Sequence, residues 1–134
     1  MAKKTFVEEA DVEAQVFGWG KLSWLSEPRV TAAEKFTVGI VVLGPGQGHD
    51  RHNHPGTEEI LYILSGKGKQ MVETSEGKVE REVGPGVLIH LPPDVFHSTF
   101  NTGKEDMRIL AIYAPPGPEA ALRQMADRLE PPKR

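Results

Sequence analysis

Glu59-Ile60-Leu61-Tyr62-Ile63-Leu64-Ser65-Gly66 is an apolar run headed by a carboxylate and stopped by a Ser-Gly turn. Branched and aromatic side chains fit a pleated surface better than a helix, so the run reads as a strand. Both of its alternating faces are apolar, and such a strand is covered on both sides. One face can fill a barrel, while the other can meet a second sheet or a second subunit.

The same pattern extends outward from this strand. Phe36 to Leu43 is another apolar, branched run, ended by Gly44-Pro45-Gly46. Lys69 to Thr74 and Lys78 to Val83 flank Glu76-Gly77, a hairpin turn. Val87 to Leu91, Val95 to Asn101 and Met107 to Tyr113 follow, and upstream Val16 to Trp19 and Lys21 to Leu25 are paired around Gly20. The 14 glycines and 11 prolines fall largely in turn dipeptides such as Pro55-Gly56 and Gly84-Pro85, which punctuate short strands. The 134 residues suit one all-β domain. Residues 1–15 read as a polar arm, 16–117 as the barrel with its motif core at 36–113, and 118–134 as a short helix and tail. Pro118 opens that helix, and Leu122, Met125, Ala126 and Leu129 supply its apolar stripe.

A net charge of −3 offers no positive field for phosphate backbones, so nucleic acid is not an expected partner. No apolar run reaches the roughly 18 residues of a membrane span. The stretch from Met1 turns acidic at Glu8-Glu9 before any apolar run of signal-peptide length. With no cysteine there is no disulfide, thiolate ligand or nucleophilic thiol, which agrees with a reducing compartment. A soluble cytoplasmic protein with no membrane partner is expected.

Chemistry concentrates in the histidines. His52-Asn53-His54 places two imidazoles two residues apart, on one face if the segment is a strand. By itself that pair is commonplace. Glu59, however, heads an inward face continued by Leu61 and Ile63, and a buried carboxylate is costly unless it is paired or coordinates a cation. His97 lies on a separate strand after Pro92-Pro93-Asp94. Three imidazoles and one carboxylate suit a single divalent transition metal: Fe, Mn, Ni, Co or Zn.

At these residues the chain resembles the cupin family. The first cupin motif, Gly-x5-His-x-His-x4-Glu-x6-Gly, is met by Gly46, His52, His54, Glu59 and Gly66. The second, Gly-x5-Pro-x-Gly-x2-His-x3-Asn, is met by Gly86, Pro92, His97 and Asn101, with Asp94 in place of its central glycine. Asp tolerates the left-handed backbone region better than most residues. Val87 replaces the acidic residue that often follows the motif's first glycine. The resemblance implies a single jelly-roll β-barrel with a metal on His52, His54, Glu59 and His97.

Four protein ligands leave two positions on a six-coordinate metal, enough to chelate a small oxygenated metabolite. Dioxygenase-type chemistry is the first expectation; a sugar or sugar-acid isomerase or lyase, and a non-enzymatic ligand-binding protein, are the alternatives, since the fold does not choose among them. Glu59 is a candidate proton acceptor, and His90 reads either as a second acid or base or as a satisfied core histidine. Arg51 reads as a carboxylate clamp or, more commonly, a solvated arginine, and it shares the pre-motif loop with His49. Trp19 and Trp24 read as core or dimer contacts, Asn101 as the organiser of a strand end, and Met71 joins Leu61 and Ile63 on the inward face. The two-faced Glu59–Leu64 strand and the tryptophan segment together lead to the expectation of a homodimer.

Overall fold

A computed structural model describes residues 2–134. Eleven strands run through the described residues. They are β1 (Ala14–Phe17), β2 (Gly20–Ser26), β3 (Thr37–Leu43), β4 (Gly48–His52), β5 (Glu58–Ser65), β6 (Gly68–Thr74), β7 (Gly77–Val83), β8 (Leu88–Leu91), β9 (His97–Asn101), β10 (Met107–Ala114) and β11 (Arg128–Glu130), with one helix, α1 (Pro118–Met125). A 3-10 turn at Glu9–Asp11 precedes β1.

Two antiparallel sheets face each other: β11-β1-β2-β3-β10-β5-β8, and the shorter β4-β9-β6-β7. This is the jelly-roll barrel expected from the strand pattern. Its larger sheet sends Leu22 and Trp24 from β2, Val41 and Leu43 from β3, Leu61 and Ile63 from β5, and Met107 and Ile109 from β10 into one core. Burying each of the large aliphatic side chains contributes about 1.5–3 kcal/mol. The hairpin β6–β7 turns at Glu76-Gly77 as expected, with Thr74 paired to Gly77.

Gly66 shows why a motif position admits only glycine. Its φ is +77°, and a Cβ there would lie 2.6 Å from the Asp106 carbonyl oxygen. The β5–β6 turn thus presses directly on the segment entering β10.

The ends of the chain differ from the sequence expectation. Helix α1 stops at Met125, and Arg128–Glu130 is a strand paired with β1. Of the expected apolar stripe, Leu122 is buried and Ala126 packs against the core, whereas Met125 and Leu129 are exposed. The strand wins because β1 otherwise presents an unpaired edge, and Val16 pairs with Arg128 there. The arm is docked as well: Gln15 is fully buried, accepting from Trp24 Nε1 at 3.0 Å and donating to the Glu119 carbonyl at 3.1 Å. Arg123 ties α1 down by bonding Glu13 at 2.8 Å and the buried Glu27 at 2.6 Å.

Candidate metal centre

His52 ends β4, and its cross-strand partner is His97, the first residue of β9. His54 lies just beyond β4 in the loop that carries the chain to β5, where Glu59 is the second residue. The spacing of the first motif therefore spans a strand end, a turn and a strand start. That geometry brings the three histidines together, with ligand-capable nitrogens all within 4.8 Å of one another. Glu59 Oε1 lies 3.3 Å from His97 Nε2 and 3.6 Å from His54 Nε2.

The hydrogen bonds decide which imidazole nitrogens are free. His52 Nδ1 lies 2.7 Å from the Asp50 carbonyl and His97 Nδ1 3.0 Å from the Val95 carbonyl. A carbonyl can only accept, so each Nδ1 carries the proton and each Nε2 keeps its lone pair. His54 Nε2, His97 Nε2 and Glu59 Oε1 are buried and have no hydrogen-bond partner. Buried polar atoms rarely go unpaired, and here the lone pairs of His97 Nε2 and Glu59 Oε1 lie 3.3 Å apart, with His54 Nε2 3.6 Å from the same oxygen. A cation is the species that satisfies them together. Ligand atoms about 2.1 Å from a shared metal stand roughly 3 Å apart, close to the separations from Glu59 Oε1 to the two imidazoles. The residues fit one divalent transition metal.

The surroundings keep the imidazoles in their ligating, neutral form. Burial, reinforced by the neighbouring His97, lowers the His52 pKa to about 4 despite the Asp50 hydrogen bond. Burial likewise lowers His54, against the opposing pull of Glu59. Tyr113, opposite Glu59 across the β10–β5 ladder, is pushed well above the ordinary phenol value by burial, then by the Glu59 charge and its hydrogen bond to that carboxylate.

One histidine missing from the expected ligand set also reaches the centre. His49 stacks on the His52 ring at 3.5 Å, and Trp19 stacks on its other face at 4.0 Å with the rings 2° from parallel. Strict alternation would put residues 49 and 52 on opposite faces of a strand. A register shift between His49 and His52 in the β4–β9 ladder turns both the same way. Nothing in the sequence marks that bulge. His49 is held neutral, its pKa lowered to about 3, first by burial and then by His52, His54 and His97.

The cavity over these residues is narrow, about 30 Å³. Its walls include Trp19, Leu61, Ile109 and Tyr113, with Thr99 as a polar exception. Thr99 hydrogen-bonds the buried Gln70 at 2.5 Å. On β6 the face shared with Thr99 and His97 belongs to Gln70 and Val72, whereas Met71 pairs with Ser98 on the opposite face, contrary to the sequence expectation.

Other residues singled out by sequence lie elsewhere. His90 is on the outward face of β8, half exposed and hydrogen-bonded to Glu58, so it is neither an acid or base for this cavity nor a core histidine. Its strand alternates, with Ile89 and Leu91 taking the inward positions. Arg51 is clamped outside by Glu73, 3.0 Å from Nη2 to Oε1, and lies 3.8 Å over the Phe96 ring. Trp24 is core, but Trp19 is a cavity wall. Asn101 organises its strand end, donating to the Leu43 and Glu105 carbonyls at 2.8 and 2.7 Å.

Residues 39–113 match the cupin domain family. The chain belongs to the cupin family. A glucose-6-phosphate isomerase of Thermococcus kodakarensis is 43% identical over 63 residues, covering 46% of this chain and 33% of that protein. This cupin thus spans about a third of the length of the isomerases it matches. Among solved structures, the oxalate decarboxylase formate complex of Lactobacillus farciminis has a TM-score of 0.71 at 25% identity, covering 77% of this chain and 31% of that one. KdgF from Halomonas sp. has a TM-score of 0.73 at 15% identity, covering 88% of this chain and 99% of that one, a likeness of fold. The present chain is a cupin whose three-histidine site can hold a metal.

Proposed function

We propose that this cupin is a metal-dependent enzyme that chelates a small oxygenated metabolite at His52, His54, Glu59 and His97, with dioxygenase-type chemistry as its reaction class. The observation that carries the reading is the set of convergent, partnerless lone pairs under a narrow and mostly apolar cavity. A bound divalent cation supplies Lewis acidity, lowering the pKa of a coordinated hydroxyl. His52 and His97 are oriented by their backbone hydrogen bonds, and Glu59 offsets part of the positive charge. Trp19, Leu61 and Ile109 give the cavity apolar walls. No lysine or arginine lines the cavity, so substrate recognition falls on chelation and on apolar contact.

The second reading is a non-redox isomerase or lyase acting on a sugar or sugar acid, with Glu59 as the proton acceptor. The partial match to glucose-6-phosphate isomerases favours it. The lack of a cationic side chain at the cavity argues against a phosphorylated substrate, whose two negative charges call for an Arg or Lys partner.

Oxygen dependence separates the two. The iron-loaded protein is expected to consume O2 with a member of a panel of hydroxy acids, hydroxy-ketones and enediols, and the zinc form to be inert. Turnover by the zinc or manganese form under strict anaerobiosis, abolished in Glu59→Gln, replaces the first reading with the second. If no form turns over the panel while small acids raise the melting temperature, a ligand-binding cupin is the better account. A cytoplasmic location and a homodimer built on the outer face of the larger sheet complete the proposal.

A further inference from the structure

We propose that Tyr113 is a positioning residue that holds the Glu59 carboxylate in place for the metal. The inference rests on the reading that Glu59 is a ligand.

Register comes first. Tyr113 is the direct cross-strand partner of Glu59, and its strand β10 is flanked on both sides, by β3 and β5. A residue so placed cannot drift relative to its neighbour. The ring is fixed too: Trp24 lies 5.3 Å away at 51°, and the His54 ring meets it edge-on at 5.3 Å and 86°. Tyr113 is only 4% exposed, and a buried phenol needs a hydrogen-bond partner. The polar side chain that the register sets beside it, on the wall of the same cavity, is the Glu59 carboxylate.

A carboxylate has two oxygens. Oε1 is the partnerless atom facing His54 and His97, so the remaining capacity of the group is what a fixed donor can hold. The phenol donates and Glu59 accepts. Without it, Glu59 has no side-chain donor to set its torsion among the apolar residues at the head of β5. Such outer partners of metal ligands are commonly worth about 10- to 100-fold in metal affinity.

Tyr113→Phe removes the hydroxyl and leaves the ring against Trp24 and His54. For this variant, the metal-free melting temperature should match the parent. Cobalt affinity by calorimetry should fall roughly 10-fold or more. The visible absorption of the cobalt form should also change, because it reports the ligand field and a purely structural role would not move it. Parental affinity and spectrum in Tyr113→Phe, with both altered in Glu59→Gln, overturn the positioning role and leave Glu59 a ligand. If Glu59→Gln also behaves as the parent, the ligand reading fails first. The chain has two tyrosines, so 3-fluorotyrosine labelling of the unsubstituted protein gives two resonances even if Tyr113→Phe does not fold. Zinc should shift the buried Tyr113 signal and not that of Tyr62, and the shift should shrink in Glu59→Gln. An unmoved Tyr113 signal, or one equally shifted in Glu59→Gln, overturns the proposal.

Discussion

Glu59 Oε1 and His97 Nε2 stand 3.3 Å apart inside the barrel, and neither has a hydrogen-bond partner. The His97 proton is on the other nitrogen, bonded to Val95, so two lone pairs confront each other. A shared cation converts that repulsion into attraction. Replacing both His52 and His97 by alanine should therefore abolish stoichiometric metal, measured by elemental analysis of protein prepared without chelator, while circular dichroism still shows a folded β-barrel. Chelator should lower the melting temperature of the parent and leave that of the double variant unchanged. Metal held at 100 times its dissociation constant stabilises the folded state by about 2.7 kcal/mol. A double variant that still carries one metal per chain would show the ligands to be other residues.

The metal-free protein should lose stability as the pH falls below neutral. His52 has a folded pKa of about 4 and His49 of about 3, against 6.5 for the model imidazole. Between those values the unfolded chain binds more protons than the folded one, so stability rises with pH through the window and is lost on acidification from about 6.5 toward 4. Between pH 6.5 and 5 each such imidazole contributes up to about 2 kcal/mol. Surface carboxylates such as Glu73 and Glu130, lowered by Arg51 and by Lys21 and Arg128, act only below their ordinary value of 4.5. Urea midpoints at pH 7 and 5 should thus report the histidines, and His49→Gln should flatten the difference. Equal midpoints at the two pH values in the parent would contradict the assignment.

The barrel was legible because alternation and turn residues are local signals. β3, β5, β6, β7, β8, β9 and β10 fall where apolar runs and Gly-Pro punctuation place them. The site residues that escaped depend on non-local geometry. His49 is turned inward by a register shift, and Tyr113 faces Glu59 across a ladder, although the sequence marks Met107 to Tyr113 only as a strand. His90 failed in the opposite direction. It stands two residues before the motif proline, yet only the phase of β8 decides the face, and Ile89 and Leu91 hold the inward one. The C-terminal stripe misled because three-residue β11 is specified by the exposed edge of β1, more than 100 residues away in sequence.

Asp94 occupies the left-handed region, with φ +70°, where the second cupin motif has glycine. It has a compensation that glycine lacks, since Oδ1 accepts from Gly56 N–H at 2.9 Å. Its backbone carbonyl, as any residue's could, accepts from Asn53 Nδ2 at 3.1 Å. Asn53 and Gly56 bracket His54, so Asp94 ties the loop carrying one ligand to the loop leading to His97. Asp94→Ala keeps the strained φ and loses the side-chain bond, and should cost about 1–2 kcal/mol. Asp94→Gly relieves the backbone as it loses the bond, and should be near neutral in thermal melting. Both should weaken metal binding a few-fold in calorimetry, through the freed His54 loop. Parental stability and affinity in Asp94→Ala would mean that the two loops are held by other contacts.

The outer face of the larger sheet leads to the last expectation. Cross-strand register lines up Ile40, Leu110, Tyr62 and Leu88 in one row over β3, β10, β5 and β8, with Val38, Ile112 and Ile60 in the next, which ends at the polar His90. Tyr62, Leu64 and Leu88 are 38%, 43% and 55% exposed. A contiguous apolar sheet face of this kind exceeds the scattered single exposures of an ordinary monomer. An isologous pairing sets the same row against itself, and two-fold dimers are the commonest closed assembly. Light scattering should give twice the chain mass at micromolar concentration. Tyr62→Lys combined with Leu88→Lys brings like charges together across the two-fold axis and should yield a monomer. Metal content should be retained, because residues 62 and 88 sit on the face opposite Leu61 and Ile89, which point into the core. A parent protein that scatters as a monomer across that range would leave the face without a second copy to cover it.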